Sequence, residues 1–379
     1  MVAIVGIGET APARQSGKDI RALVLEACTD ALADAGLGGS EVDGIVTDSV
    51  IMPGTVPADW LAAQLGMTLS FSASLSYGGA AVVAAPMLAE MAIASGRARA
   101  VLVYFGVDWG SRPGGPYAFH DAYPAKAAFE KPYGFSAQPA YFALWARRYM
   151  HEFGLREEDL ADIAVAHRHN AIRTGRAQNR KPLDRDGYFS SRLVADPLRV
   201  PDCCLISDGA GAYVVTSRER ARDLRRVPVE VRGVGFASAP VPGDDVFTQP
   251  SPLLTTPAAT RASDQAQRSA KISLGDVDFA EIYDCFTISC LAQIEDLGFC
   301  RKGDGAHFMR EQGITIDGRL PVNTHGGLLS YSYRLGIEHV VEAVRQLRGD
   351  AGDAQVLGAE IGLVGGFSPP DYGVAILTR

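Results

Sequence analysis

The chain alternates short, continuous apolar runs with longer segments whose apolar positions recur at helical spacing. Residues 2–6 read as a strand that ends in a glycine turn at Gly6-Ile7-Gly8. From about Asp19 to Gly36, the run Ala-Cys-Thr-Asp-Ala-Leu-Ala-Asp-Ala predicts a helix closed by Gly36. A strand follows around Val42–Ser49. Next, Phe71-Ser-Ala-Ser-Leu-Ser-Tyr-Gly-Gly leads into a helix over about 78–95, and Ala100-Val-Leu-Val-Tyr-Phe reads as a strand. An uninterrupted apolar strand suits burial on both faces.

The second half repeats this order. A strand at 228–234 precedes a helix near 258–270 and a strand at 279–283. Leu320-Pro-Val-Asn-Thr-His-Gly-Gly then leads to a helix over about 334–348 and the strand Glu360-Ile-Gly-Leu-Val. Both halves end alike, in Asp208-Gly-Ala-Gly-Ala-Tyr-Val-Val-Thr-Ser and Asp371-Tyr-Gly-Val-Ala-Ile-Leu-Thr. The pattern predicts an α/β duplication, with halves at 1–225 and 226–379. Residues 108–200, rich in Tyr, Phe, Pro, Arg and His, read as an insertion in the first half. Such aromatic, loop-heavy material commonly covers a site.

The 379 residues are 47% apolar and 21% charged, which excludes disordered and fibrous classes. The net charge of −8 argues against a basic nucleic-acid surface. Six cysteines, at 28, 203, 204, 285, 290 and 300, show neither zinc-ligand spacing nor a disulfide framework, as expected of reduced thiols. The N-terminus does not read as a signal peptide. Glu90, Arg97 and Arg99 interrupt the most apolar stretch, so no membrane span is expected, and the chain reads as cytoplasmic. Gly6-Ile7-Gly8 lacks the third glycine of a dinucleotide fingerprint.

Three longer stretches carry a resemblance: Ala195-Asp-Pro-Leu-Arg-Val-Pro-Asp-Cys-Cys-Leu-Ile-Ser-Asp-Gly-Ala-Gly-Ala, Glu281-Ile-Tyr-Asp-Cys-Phe-Thr-Ile and Asn323-Thr-His-Gly-Gly-Leu-Leu-Ser. Together with the duplication, they make the whole chain resemble the thiolase superfamily, in its sterol-carrier, lipid-transfer branch. The resemblance implies two α/β halves in a five-layered αβαβα arrangement.

The family's catalytic cysteines are missing. The nucleophile position, at the start of the helix after the first core strand, holds Leu75, which cannot form a thioester. The second cysteine position, before Gly365-Gly366, holds Leu363, and no cysteine follows Cys300. The family's His-Asp-Cys-Phe reads Tyr283-Asp284-Cys285-Phe286 here, and its Gly-His-Pro reads Ser332-Tyr333-Arg334. Two histidine positions of one pocket have thus both become tyrosine.

That substitution resembles the thiolase-like aldolases that cleave steroid side chains. The resemblance implies retro-aldol cleavage of a β-hydroxyacyl-CoA, such as a 17-hydroxysteroid with an acyl-CoA side chain, to a ketone and a shorter acyl-CoA such as propanoyl-CoA. It also implies a homodimer joined by a small OB-fold, zinc-ribbon partner into a heterotetramer. The only coenzyme would be the CoA of the substrate, and the chain itself would hold no metal.

A retro-aldol needs a base for the hydroxyl proton, donors for the enolate and an acid to protonate it, but no nucleophile. Tyr283 and Tyr333 are the expected acid–base pair, provided neighbouring donors or cations lower their pKa. Tyr331 and His325 are weaker supporting candidates, His325 as a residue that orients a donor. Backbone donors are expected from a Gly365-Gly366 turn and the helix start at Gly78-Gly79. Ser74 and Ser76 are poor substitutes for the cysteine because the family's base position now carries Tyr333. His167-Arg168-His169 reads as a solvated helix face. Two other classes stay open: a non-catalytic acyl-CoA- or lipid-binding subunit, and an acyltransferase with an unorthodox nucleophile.

Overall fold

The computed structural model describes residues 1–48, 56–116, 124–135, 137–239, 256 and 258–379. Part of the aromatic insertion motif, Tyr117 to His120, lies outside the described residues.

In the first half, strand β1 (Val2–Glu9) is followed by helix α1 (Ile20–Ala35), β2 (Gly44–Asp48) and β3 (Phe71–Leu75). Helix α2 (Gly79–Ala94) and β4 (Ala100–Asp108) complete the repeat. The insertion carries α3 (Gln138–Phe153), α4 (Glu157–Thr174) and a small hairpin of β5 (Leu193–Ala195) and β6 (Leu198–Arg199). Strand β7 (Asp208–Ser217) closes the half. The second half runs β8 (Val229–Ser238), α5 (Ala259–Ala270), β9 (Phe279–Ile282), α6 (Thr287–Leu297), α7 (Ile337–Arg348), β10 (Ile361–Ser368) and β11 (Asp371–Thr378).

The long strands form one nine-stranded sheet in the order β3-β2-β4-β7-β1-β8-β11-β10-β9. The order in the second half mirrors that in the first, with β8 in the place of β1, β9 of β2, β10 of β4 and β11 of β7. The halves meet where β1 pairs antiparallel with β8 through Val2–Val231, Ala3–Glu230 and Ile4–Val229. The second half's counterpart of β3 is reduced to a single parallel bridge, Ala280 to Val322.

Three apolar clusters separate the layers. One packs α1 on the first half's strands. A second fills the middle, where α2 and α7 lie between the two halves of the sheet. The third packs α5, α6 and the insertion helices against the second half. The expected αβαβα layering follows from this arrangement. Helix α2 has no polar stripe because sheet lies on both sides of it; residues 79–86 are all buried.

Two glycine readings change. Gly6 and Gly8 lie inside β1 rather than in a turn after it. A Cβ on Gly6 would sit 2.2 Å from the Ala31 carbonyl oxygen, and one on Gly8 2.2 Å from that of Ala27. They are glycine because α1 crosses the strand at backbone contact. Likewise Gly365 and Gly366 form no turn: they lie within β10, Gly365 opposite Val374 and Ile282, Gly366 opposite Gly373. A Cβ on Gly366 would meet the Gly79 carbonyl oxygen at 2.2 Å, so its bareness admits the start of α2.

Candidate active site

Tyr283 follows β9, and Tyr333 lies in the loop before α7. The fold brings their hydroxyl oxygens to 2.6 Å, with the rings edge-on at 6.0 Å between centroids. Tyr283 is 4% exposed, whereas Tyr333 is half-buried and packs on Trp109 at 4.6 Å. Gly79, the first residue of α2, has no room for a Cβ because the Tyr283 ring would lie 2.4 Å from it. The start of α2 therefore meets the tyrosine pair.

The backbone around both residues is fixed. The Tyr333 amide donates to Ser207 Oγ at 3.0 Å, and Ser207 donates to Gln178. Gln293 Nε2 donates to the Tyr283 carbonyl. Asp284 accepts from the amides of Leu328 and Leu329, tying the segment after β9 to the glycine loop.

The electrostatics overturn one expectation. Burial, above all, pushes both phenols well above the ordinary value of 10.0, although their mutual hydrogen bond pulls Tyr333 the other way. Burial thus favours the neutral form of both tyrosines, and among the described residues no cation offsets it. Burial also pushes the Cys285 thiol up to about 12 and Cys204 well up, so neither neighbouring thiol is a standing nucleophile.

Leu75 ends β3 and packs partly buried against the middle apolar layer. The Tyr77 and Gly78 amides both donate to Asp48 Oδ2 at 2.8 Å, so the expected donor at Gly78 is engaged by Asp48. The Gly365-Gly366 segment belongs to the strand ladder, as above. Cys203 and Cys204 tie their loop to the segment after β9, Cys203 bridging Phe286 and Cys204 donating its amide to the Cys285 carbonyl.

Tyr331 is held elsewhere: its hydroxyl donates to Glu9 Oε1 at 2.5 Å. Glu9 also pairs with Arg334 and Arg345, at 2.9 and 2.6 Å. His325 is fully buried, 3.0 Å from Glu281 Oε2. His167 and Arg168, expected on a solvated face, are buried: His167 Nδ1 lies 2.8 Å from the Ile163 carbonyl oxygen, and Arg168 donates to Ser330. Helix α4 packs against the glycine loop, which covers that face. Glu9, Glu281, Asp284, Arg334, His339 and Arg345 were missed by the sequence reading. The one available signal was an acidic residue, Glu281, inside the otherwise apolar strand Phe279–Ile282.

The Glu9 cluster makes stability acid-sensitive. Burial opposes ionisation of Glu9, but Arg345 and Arg334 outweigh it and hold its pKa at about 2, against an ordinary 4.5. A depressed folded value stabilises above the unfolded pKa, and the gain is lost as pH falls through the folded one. About 3 kcal/mol is therefore expected to disappear between roughly pH 5 and pH 2. Urea melts at pH 7, 4 and 3 would show it, and Glu9→Gln should flatten that slope. Equal slopes in both proteins would refute the assignment.

Comparison with known proteins identifies the family. The family model described as "Thiolase C-terminal domain-like" matches residues 244–369. The chain is 38% identical over 358 residues to the 17-hydroxy-3-oxo-4-pregnene-20-carboxyl-CoA lyase of Mycobacterium tuberculosis, covering 92% of this chain and 91% of that protein. It is 35% identical to the steroid side-chain-cleaving aldolase of Thermomonospora curvata, covering 92% and 90%. Among solved structures, the Ltp2-ChsH2(DUF35) aldolase superposes with a TM-score of 0.92 at 34% identity, covering 100% of this chain and 97% of that one. The chain belongs to the thiolase superfamily, in the branch that holds these thiolase-like aldolases.

Proposed function

We propose that the protein is a carbon–carbon lyase that cleaves a β-hydroxyacyl-CoA by a retro-aldol reaction, with a 17-hydroxysteroid carrying a short acyl-CoA side chain as the substrate class. The observation that carries this reading is the Tyr283–Tyr333 pair, sharing a 2.6 Å hydrogen bond where a thiolase needs its histidines. The absence of cysteine at Leu75 and Leu363 removes the covalent route. The names of the relatives point to the same chemistry and to a steroid acyl-CoA.

A retro-aldol consumes no net proton: the hydroxyl proton lost at one carbon equals the proton gained by the enolate. Two neutral phenols in contact suit that balance. One oxygen takes the hydroxyl proton as the carbon–carbon bond breaks, and its own proton passes to the other tyrosine. The second tyrosine gives its proton to the enolate carbon, so both end neutral. The raised pKa values serve this route because neither phenol needs to ionise in isolation. Tyr331 and His325 act behind the pair, through the Glu9 and Glu281 carboxylates, rather than on the substrate. Gly365 and Gly366 contribute bareness, letting the start of α2 reach Tyr283.

The related solved structure is named for a complex with a DUF35 protein. By that likeness, a partner of the OB-fold, zinc-ribbon type joins a homodimer of this chain and helps deliver the acyl-CoA. No helix among the described residues is long and apolar enough to cross a membrane.

Mass spectrometry tests the reaction. The chain, purified with its partner and given a 17-hydroxysteroid bearing a three-carbon acyl-CoA side chain, should release a 17-ketosteroid and propanoyl-CoA without added CoA. Cleavage only on adding free CoA would mean thiolysis instead. Tight binding without cleavage would leave a binding subunit.

A further inference from the structure

We propose that Glu281, His325 and His339 form a metal site, suited to Zn²⁺ or a similar borderline divalent cation, packed beside the tyrosine pair. The three residues come from β9, the glycine loop and α7, and each is fully buried. Their ligand atoms all lie within 4.8 Å of one another. Glu281 Oε2 is 3.0 Å from His325 Nδ1 and 3.6 Å from His339 Nδ1. A tetrahedral site with bonds of about 2.0–2.1 Å has edges of roughly 3.3–3.4 Å, which these separations bracket.

Three further observations point the same way. First, Glu281 Oε2 and both nitrogens of His325 and His339 are buried without a hydrogen-bond partner. Unsatisfied buried groups of this kind are costly, and a cation would satisfy several at once. Second, the surroundings orient the ligands as outer-shell groups do. Glu281 Oε1 accepts from the Thr324 amide and hydroxyl at 3.0 and 2.6 Å, which turns Oε2 toward the histidines. His339 turns Nδ1 toward Glu281 and Nε2 toward Asp284 Oδ1, the latter at 3.6 Å, longer than a hydrogen bond but in the carboxylate–histidine–metal order.

Third, with neutral histidines the charges around the cluster do not balance. Glu281, Asp284, Glu338 and Glu342 are buried in this region, beside Glu9, whose side chain is 7% exposed. The guanidiniums that reach them are Arg334, Arg345 and Arg176. Among the described residues, five carboxylates thus meet three cations, an excess of two negative charges if the histidines are neutral. A divalent cation cancels that excess where Glu281 has no other partner for Oε2. The cation would tie β9, the glycine loop and α7 together; Tyr283 lies two residues after Glu281, and His339 borders Tyr283 at Gly336. Its role is to position these segments, and it does not touch the reacting atoms.

This inference does not depend on the aldolase reading, because its readout is metal content. The untagged full-length chain, purified alone so that no zinc from a partner is counted, is analysed by inductively coupled plasma mass spectrometry. About one equivalent of divalent metal per chain is expected, lost in Glu281→Gln and in His339→Asn with native circular dichroism. Metal retained in both variants would place it elsewhere and overturn the site. If the variants do not fold, the wild-type chain decides. Refolded with Co²⁺, it should show visible ligand-field bands that Zn²⁺ abolishes. A wild-type chain holding less than about a tenth of an equivalent, even after refolding with Zn²⁺, would overturn the proposal, and the missing positive charges would then be protons on the histidines.

Discussion

Tyr283→Phe and Tyr333→Phe each lower kcat for side-chain cleavage by about 100- to 10,000-fold, with KM for the acyl-CoA changed by only a few-fold. Each change deletes one oxygen and keeps the ring that packs on Phe367 or on Trp109. The ring packing survives, and only the proton route is cut. A loss of that size is about 3–5 kcal/mol of transition-state stabilisation. Because the two hydroxyls share one hydrogen bond, they work as a unit, and the double variant should be little slower than either single one. Losses that simply multiplied would separate the two roles and break the relay. Unchanged turnover in both single variants would remove the tyrosines from the chemistry altogether. Steady-state kinetics with product detection reads all these outcomes, and a thermal melt of each variant guards against simple unfolding.

Arg334→Met is expected to destabilise the protein by about 3–5 kcal/mol, the usual cost of breaking a buried ion pair from one side. Arg334 is fully buried, in the loop between Tyr333 and α7. Its guanidinium pairs with Glu9 at 2.9 Å and donates to the carbonyls of Thr10 and Ala210, at 3.2 and 3.1 Å. Its Nε donates to Ser332 and its amide to Glu338. It thus joins the tyrosine loop of the second half to β1 and β7 of the first. Methionine fills much of the volume but leaves Glu9 with Arg345 and takes a donor from the Thr10 and Ala210 carbonyls, of which Ala210 keeps the Thr10 amide. Melting temperature should fall by roughly 5–10 °C. In the Glu9→Gln background the same change should cost less, since the stranded charge is gone. A melting temperature within a degree of wild type for Arg334→Met would contradict the account.

Much of the architecture could be read from local pattern. The helix expected to end at Gly36 does so, with Gly36 in the left-handed conformation as its C-cap. The apolar runs at 100–105 and 208–217 are central strands of the sheet, buried along nearly their whole length. Their regularity reflects a periodicity of 2 or 3.6 that each segment carries without help from the rest of the chain. The repeat of that grammar revealed the duplication, and the family wording around Tyr283 and Tyr333 located the pair.

What the sequence alone determined, then, is the kind of element at many segments, the duplication, and the presence of Leu at 75 and 363 and of Tyr at 283 and 333. Tertiary structure alone decided their protonation, because desolvation depends on what surrounds a hydroxyl and not on its neighbours in the chain. It also turned the Gly6-Gly8 and Gly365-Gly366 pairs from expected turns into bare strand surfaces, since only the path of a crossing helix shows how close its backbone comes. And it gathered Glu9, Glu281, His325, Arg334, His339 and Arg345, dispersed along the sequence, into one largely buried charged layer behind the site. No local periodicity encodes such a cluster: its members share a place only after both halves have packed around α2 and α7.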